Sequence, residues 1–150
     1  MPHSLFVYGT LMAPEVVKTL IGRVPPSMPA ILKGYIRHPV IGHVFPGLIK
    51  CRDDNVCTEG LMYHELDYKE MRVLDWFEDV EYTRTNIEVQ LVGDDSLNIE
   101  TTQVYVWTNP GSDLDVAKSW VYREFRENRL DWYLKNTVKP CRHGLDELNY

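Results

Sequence analysis

Two short segments of the sequence carry residues of types that could bind and transform a small molecule. The first is "LFVYGTLM", in which the apolar residues 5–8 run into Gly9 and Thr10. Glycine lets a ligand approach the backbone closely, and free N–H groups at the start of a following helix attract a carboxylate or an oxyanion. A junction of this kind also serves as an ordinary turn, so the sequence leaves both interpretations open.

The second segment is "LDWFEDVEYTR", in which one carboxylate continues an apolar helical stripe. Glu78 lies four residues after Leu74 and seven after Met71, on the face that should pack against the core. Helical geometry favours a solvated position at a fraying helix end over a partly apolar cavity. In a cavity, burial would raise the pKa of the carboxyl and make it a general base. The neighbouring carboxylates point to other sides and are interpreted as charged surface: Asp75, Asp79 and Glu81.

Other kinds of catalytic or metal site find no support in the sequence. The five histidines show neither an H-x-x-x-H nor an H-x-x-E pattern, and no P-loop, G-x-S-x-G elbow or G-x-G-x-x-G occurs. We therefore expect no metal and no cofactor. The four tryptophans are interpreted as core or edge-of-core residues: Trp76, Trp107, Trp120 and Trp132.

Length, charge and cysteine content exclude several classes of protein. The 150 residues suit one domain over residues 1–150. A net charge of −6 without a lysine and arginine cluster argues against a nucleic-acid-binding protein. No stretch approaches the ~20 apolar residues of a membrane span, and nothing at the start resembles a signal peptide. Three cysteines without a C-x-x-C pair are typical of reduced thiols, so we expect a cytoplasmic protein: Cys51, Cys57 and Cys141.

The elements of the first half follow from apolar patterns and turn-forming residues. Residues 5–8 are apolar on both faces and predict a buried strand, and Pro14 begins a short helix. Residues 24–29 predict an irregular connection and residues 30–37 an extended segment. Residues 42–48 predict a loop or an edge strand interrupted by proline.

The second half predicts two more strands, a hairpin turn and a long final helix. Residues 59–66 alternate as a strand does, and residues 68–78 have apolar side chains at helical spacing. Residues 82–92 and 98–108 predict a hairpin with the turn "GDDSLN". A helix is predicted over residues 115–135, with this apolar stripe: Ala117, Val121, Phe125 and Trp132.

The order of these elements favours one fold class. Strands and helices are mixed without a regular βαβ rhythm, which is typical of an α+β domain on a largely antiparallel sheet. Such a sheet can close into a small barrel.

Several segments, taken in order, carry a family resemblance. They resemble the gamma-glutamylcyclotransferase-like superfamily and, within it, the plant AIG2-like proteins. The set spans about two-thirds of the chain. Its members are "FVYGTL" (6–11), "LKGYIRHPV" (32–40), "FPGLI" (45–49), "EGLMYHEL" (59–66), "LDWFEDVEYTR" (74–84) and "VYVWTN" (104–109). The "WVYREF" segment of the predicted C-terminal helix is similar to the same branch.

The resemblance implies a fold and a site. The fold would be a small mixed β-barrel flanked by helices, with a cavity at one end. Glu78 occupies the place of the family's catalytic glutamate, and Tyr82 and Tyr105 match tyrosines near the cavity. The Y-G-[ST] loop would supply backbone N–H groups to the gamma-glutamyl part of a substrate, from these residues: Val7, Tyr8, Gly9, Thr10 and Leu11.

The resemblance also implies a reaction, the cyclisation of a gamma-glutamyl amino acid or amine to 5-oxoproline, without a metal or organic cofactor. Many active members have Y-G-S-N where this sequence has Tyr8-Gly9-Thr10-Leu11, so the substrate stays open. Candidate pocket walls are residues 38–49 and the C-terminal helix. The alternatives are a non-catalytic small-molecule binding or interaction module and hydrolysis without cyclisation. The oligomeric state is not predicted.

Overall fold

The structure is a computed structural model that describes residues 2–93 and 98–150. Within them the strands are β1 His3–Val7, β2 Ser27–Lys33, β3 Tyr35–Pro39, β4 Pro46–Lys50, β5 Cys57–Leu66, β6 Tyr82–Leu91 and β7 Ile99–Trp107. The α-helices are α1 Pro14–Ile21, α2 Tyr68–Glu78, α3 Tyr122–Asn128, α4 Leu130–Tyr133 and α5 Lys139–Glu147. Short 3-10 turns lie at Thr10–Met12, Asp79–Glu81 and Gly111–Asp113.

Five of these strands close into a barrel in the order β1-β5-β2-β6-β7. The pairs β1–β5, β5–β2, β2–β6 and β6–β7 are antiparallel. The barrel closes where β1 runs parallel to β7, with Phe6 opposite Val104. The predicted α+β class, with a small and largely antiparallel barrel flanked by helices, is confirmed.

β1 belongs to two apolar clusters at once. Leu5 and Val7 are buried together with side chains of α1, α2 and the C-terminal helices. Phe6 and Tyr8 are buried together with side chains of the other barrel strands. Because successive side chains of a strand point to opposite faces, both faces are buried from Leu5 onward and these positions are apolar. The buried strand predicted from residues 5–8 is confirmed.

The segment between α1 and β5 differs in part from the prediction. The irregular connection predicted for residues 24–29 is wrong at its end, because β2 already begins at Ser27 and pairs with β5. The extended residues 30–37 contain a turn at Gly34, whose φ of 78° is a left-handed conformation that glycine adopts without strain. β3 and β4 form a separate two-stranded sheet, and Pro46 is the first residue of β4.

α2 has the bounds predicted from its apolar spacing. Its start is defined by a capping box: the N–H of Glu70 donates to the Asp67 side chain at 2.7 Å, and the N–H of Asp67 donates to the Glu70 carboxylate at 3.0 Å. The buried face of the helix packs against α1 and β1 through Met71, Val73 and Leu74. Glu70 lies in the first turn of this helix, and Glu78 is its last residue.

The predicted C-terminal helix exists, but its bounds are wrong. Residues 115–121 are not helical, and there the indole N–H of Trp120 donates to the carbonyl of Val44 at 2.9 Å. The first C-terminal helix begins at Tyr122. After an interruption at Arg129, helical structure continues through α4, a π-helical turn at Leu134–Val138, and α5.

The apolar stripe predicted for that helix is also wrong. Of its four members, Phe125 is buried in the helical core, whereas Ala117 and Val121 precede the helix and are exposed. Trp132 is 56% exposed, as is Trp76 at 55%, so these two tryptophans are not core residues. The apolar residues do recur at helical spacing in the sequence. Residues 115–121 nevertheless form a loop, in which Trp120 contacts Val44.

β6 and β7 form the predicted hairpin, with pairing from Tyr82–Trp107 to Gln90–Ile99. Of its predicted turn "GDDSLN", residues 94–97 lie outside the described part of the chain.

The three cysteines are free thiols, as predicted: Cys51, Cys57 and Cys141. Over residues 2–93 and 98–150, we find no helix with the length and apolar character that crossing a membrane requires.

Candidate active site

A cavity of about 200 Å³ is lined by five parts of the chain. They are β1 with the turn after it, the end of α2 with the start of β6, the start of β4 with the residue before it, β7, and the C-terminal helices. All the residues predicted to catalyse or to bind substrate lie in its wall: Val7, Tyr8, Gly9, Thr10, Leu11, Glu78, Tyr82 and Tyr105. Residues far apart in the sequence therefore meet around one space.

Glu78, the last residue of α2, is half-buried and lines the cavity. Its pKa is raised to about 8, chiefly because burial disfavours the charged form and further because Glu81 and Asp75 are negatively charged. Among the described residues, no group donates a hydrogen bond to its carboxylate. The solvated position favoured by helical geometry is thus wrong, and the partly apolar cavity is correct.

The way α2 ends explains how the following carboxylates reach the same cavity. Asp79 has a φ of 59°, so the helix stops at Glu78 and a 3-10 turn follows at Asp79–Glu81. Asp79 and Glu81 both line the cavity. Asp79 is exposed and Glu81 is half-buried, so both remain charged residues at the surface. The expectation that they point away from the cavity is wrong, because it extended the helical positions past the residue at which the helix stops.

The turn after β1 presents backbone N–H groups beside Glu78. The N–H groups at the start of the 3-10 turn Thr10–Met12 have no partner within the turn, and no side chain caps them. Gly9 is needed at the start of this turn, because an added Cβ would lie 2.9 Å from the Pro46 ring. The Thr10 hydroxyl donates to the Tyr133 hydroxyl at 3.4 Å and so links the turn to α4. The cavity thus has hydrogen-bond donors on its β1 side.

Three tyrosine hydroxyls of the cavity wall donate hydrogen bonds to other groups of the protein. Tyr8 donates to the carbonyl of Tyr105 at 2.6 Å, and Tyr82 donates to the carbonyl of Pro46 at 2.7 Å. Tyr105 donates to the Asp75 carboxylate at 2.7 Å. Burial is the largest cause that raises the pKa of each hydroxyl above its ordinary value. These oxygens can therefore accept hydrogen bonds from a ligand, but they have no further proton with which to donate one.

Asp75 is also more than a surface charge. It accepts the Tyr105 hydroxyl, and its other oxygen lies 3.4 Å from an Arg84 nitrogen. It is one of the charges that raise the pKa of Glu78. The side chain of Asp75 is 40% exposed and pairs with Arg84, so the interpretation as charged surface holds, and the contact to Tyr105 adds to it.

Sequence reasoning missed residues on two sides of the cavity, although it named residues 38–49 and the C-terminal helix as candidate walls. The segment leading into β4 contributes Phe45 and Pro46. The C-terminal helices contribute Tyr133, Thr137 and Cys141. Tyr133, Thr137 and Cys141 reach the cavity through tertiary packing, for which the sequence offers no local signal.

A metal site is not supported by the geometry. Within residues 2–93 and 98–150, no group of three or more His, Cys, Asp or Glu side chains is placed to hold a metal ion.

Comparison with protein families identifies the chain. The model of the family described as "Gamma-glutamyl cyclotransferase, AIG2-like" matches residues 5–124. The chain belongs to this family. The family resemblance predicted from the sequence motifs is thereby confirmed. The match covers every predicted site residue and ends before Tyr133, Thr137 and Cys141.

Individual relatives agree with the family. AIG2-like protein D of Arabidopsis thaliana is 36% identical over 135 residues, which is 90% of this chain and 86% of that protein. A protein of Arabidopsis thaliana solved in solution has a TM-score of 0.69 at 23% identity, covering 99% of this chain and 87% of that one. A gamma-glutamyl cyclotransferase has a TM-score of 0.61 at 14% identity, covering 73% of this chain and 68% of that one. At such low identity, the two solved structures show a shared fold.

Proposed function

We propose that this protein is a gamma-glutamylcyclotransferase. In this reaction the α-amine of a gamma-glutamyl group attacks its own γ-carbonyl carbon. A five-membered lactam, 5-oxoproline, forms as the bond to the leaving amine breaks. The family to which the chain belongs supports this reaction class. The named gamma-glutamyl cyclotransferase among its structural neighbours agrees with it.

One observation carries the proposal: a half-buried carboxyl of raised pKa and a turn with uncapped backbone N–H groups line the same small cavity. Glu78, with a pKa of about 8, and the turn residues Gly9, Thr10 and Leu11 all belong to its lining. A tethered nucleophile needs no covalent intermediate, since folding the substrate into attacking geometry supplies much of the rate. The remaining tasks are removal of a proton and stabilisation of an oxyanion.

Glu78 is proposed to do the first task in both directions. Its carboxylate takes a proton from the substrate α-ammonium, and the free amine attacks the γ-carbonyl carbon. When the tetrahedral intermediate collapses, the protonated Glu78 returns that proton to the leaving amine. A carboxyl of ordinary pKa is a poor base for an ammonium, whereas one with a pKa near neutrality is well matched.

The turn after β1 is proposed to do the second task. Backbone N–H groups of Gly9 to Leu11 would hold either the substrate α-carboxylate or the developing oxyanion. The hydroxyls of Tyr82 and Tyr105 already donate hydrogen bonds to Pro46 and Asp75, so their oxygens would accept hydrogen bonds from the substrate ammonium.

The deciding experiment measures 5-oxoproline release. The purified protein and Glu78→Gln are incubated with gamma-glutamyl amino acids, gamma-glutamyl amines and glutathione. We expect release from at least one compound by the wild type, and a rate lowered by about 100-fold or more in Glu78→Gln, since the general base is lost. The compound that reacts names the substrate class.

A matched variant tests whether the loss is specific to Glu78. Asp79→Asn removes the next carboxylate along the chain, and asparagine tolerates the positive φ of this position. We expect Asp79→Asn to retain most of the turnover. If the folded wild type releases no 5-oxoproline from any compound, the cyclotransferase proposal is overturned in favour of a small-molecule binding module. Release of free glutamate instead would indicate hydrolysis.

A further inference from the structure

Arg37 of β3 is a mostly buried cation that the proposed reaction does not use. One terminal nitrogen of its guanidinium donates to the carbonyl of Tyr8 at 2.5 Å and to that of Glu59 at 2.9 Å. The Nε–H donates to the carbonyl of Trp120 at 3.2 Å, and the guanidinium lies 5.4 Å from the centre of the Trp120 ring. Arg37 therefore joins three separate chain segments through their backbone.

This arrangement is unusual because the charge is not paired. Among the described residues, no carboxylate lies within ion-pair distance of Arg37. Burial lowers the pKa of the guanidinium below its ordinary value, but an arginine stays charged in proteins. Burying an ion is unfavourable unless its donors find acceptors. Here the acceptors are carbonyl oxygens, and one of them belongs to the loop that lines the cavity.

The covalent geometry of that loop connects Arg37 to the cavity. The carbonyl of Tyr8 and the N–H of Gly9 belong to one peptide unit, and no described peptide bond is cis. In a trans unit these two groups point in opposite directions. Gly9 lines the cavity and Arg37 does not. The guanidinium on the carbonyl side therefore keeps the Gly9 N–H directed away from Arg37, and Gly9 itself lines the cavity.

The same contact changes the strength of the donor. A charged donor on a carbonyl polarises the amide, and hydrogen bonds in a chain strengthen one another. Pro46 also packs closely against Gly9, since a Cβ added to Gly9 would lie 2.9 Å from the Pro46 ring. The Tyr8–Gly9 peptide is thus contacted by Arg37 at its carbonyl and flanked by Pro46 at Gly9.

We propose that Arg37 is a positioning residue that fixes and polarises the Tyr8–Gly9 peptide, so that the Gly9 N–H serves as a hydrogen-bond donor in the cavity. Its kinetic consequence rests on the proposed function, whereas its effect on the peptide does not. Arg37 does not touch the reacting atoms in this scheme. It acts through the backbone of the loop.

The first test needs no substrate. Nuclear magnetic resonance of the labelled protein follows the Tyr8 carbonyl carbon and the Gly9 amide nitrogen in wild type, Arg37→Met and Arg37→Lys. Loss of a hydrogen bond at the carbonyl moves both signals upfield, and we expect the full shift in Arg37→Met and a smaller one in Arg37→Lys. Unchanged signals in a folded Arg37→Met protein would overturn the proposal, whether or not the protein is an enzyme.

The second test separates positioning from general stability. Arg23→Met is the matched control, because Arg23 also donates to a backbone carbonyl, that of Glu65, and lies outside the cavity wall. We expect Arg37→Met to lower kcat/KM for 5-oxoproline release by about 10- to 100-fold, with Arg37→Lys recovering part of it.

The kinetic constants then identify what the Gly9 N–H holds. A fall in kcat assigns it to the oxyanion, and a rise in KM assigns it to a substrate carboxylate. Equal kcat/KM losses in Arg37→Met and Arg23→Met, at matched unfolding free energies, would overturn a positioning role. If no wild-type turnover exists, the proposed function fails, and the resonance shifts alone decide the role of Arg37.

Discussion

Two glutamates at opposite ends of α2 have opposite electrostatic environments. Glu70 lies in the first turn of the helix and Glu78 is its last residue. The pKa of Glu70 is lowered from its ordinary value, whereas the pKa of Glu78 is raised to about 8. The residue type and the helix are the same, so the surroundings alone account for the difference.

The surroundings of Glu70 favour its charged form. Two nitrogens of Arg23 donate to its carboxylate, both at 2.7 Å, and the N–H of Asp67 donates at 3.0 Å. The positive end of the helix dipole also stabilises a carboxylate here. Glu70 thus contributes to stability in the charged state.

The surroundings of Glu78 disfavour its charged form. The carboxyl is partly withdrawn from water, the nearby Glu81 and Asp75 are negative, and the C-terminal end of a helix repels an anion. Such a group destabilises the folded protein at neutral pH and is retained where it has a chemical use. The two ends of α2 therefore differ through the partners of their glutamates and not through residue type.

The largest expected effect is on the pH dependence of stability. Because the folded protein binds a proton at Glu78 that the unfolded chain releases, the folded state loses stability as pH rises from the unfolded pKa of 4.5 to about 8. Relative to Glu78→Gln, we expect the unfolding free energy of the wild type to fall by about 4 kcal/mol between about pH 5 and about pH 9. Urea unfolding of both proteins across this range measures the difference.

This expectation would be contradicted if the difference in unfolding free energy between wild type and Glu78→Gln stayed constant over that pH range. Glu78 would then have an ordinary pKa in the folded state. A large loss of stability in Glu78→Gln at high pH would instead assign it a structural role.

The second effect is the converse at the other end of the helix. Glu70→Gln weakens the paired contact to Arg23 and is expected to lower the unfolding free energy by about 1 to 3 kcal/mol at neutral pH. Since the folded pKa of Glu70 is lowered, its contribution is present above the unfolded pKa and disappears as pH falls through the folded pKa. Urea unfolding at neutral and acidic pH measures this, and 5-oxoproline release should persist. If Glu70→Gln folds but no longer releases 5-oxoproline, then the roles of Glu70 and Glu78 do not differ in the way described.

The smallest effect is a shift of the pH profile. The negative charge of Glu81 raises the pKa of Glu78, so Glu81→Gln should lower the pH midpoint of kcat/KM by about half a unit. The control is Glu88→Gln, an exposed carboxylate on β6, for which we expect no shift. A midpoint that moves equally in both variants would mean that net charge, rather than the local neighbour, sets the pKa.

Much of the fold could be predicted where local signals agree. α2 was predicted with its bounds because apolar side chains recur at helical spacing over residues 68–78. β1 was predicted because a strand buried on both faces has no polar position. These elements are specified by their own residues.

The C-terminal helices could not be predicted in the same way. The segment "KPCRHGLDE" of α5 is strongly polar, and Leu145 is its one buried residue. A helix with so few buried side chains is held by the partners it packs against, which periodicity does not reveal. The apolar residues before Tyr122 have helical spacing, yet this segment is a loop because the Trp120 indole donates a hydrogen bond to the Val44 carbonyl.

The candidate site shows the same division. The residues that line the cavity from β1, α2, β6 and β7 were predicted from motifs within those elements. Asp79 and Glu81 were misplaced, since a single positive φ at Asp79 turns the chain away from the helical positions. Tyr133, Thr137 and Cys141 meet the cavity through tertiary packing of the chain's last segment, which local sequence does not encode.

The parallel pairing of β1 with β7 has a consequence for synthesis of the protein. β1 pairs with β5 on one side, but its second neighbour, β7 at Val104, is synthesised much later. Until then one edge of β1 carries unpaired backbone groups of the kind that recruit other chains. The barrel closes late in translation, and the cavity is complete only after the helix that carries Tyr133 has docked.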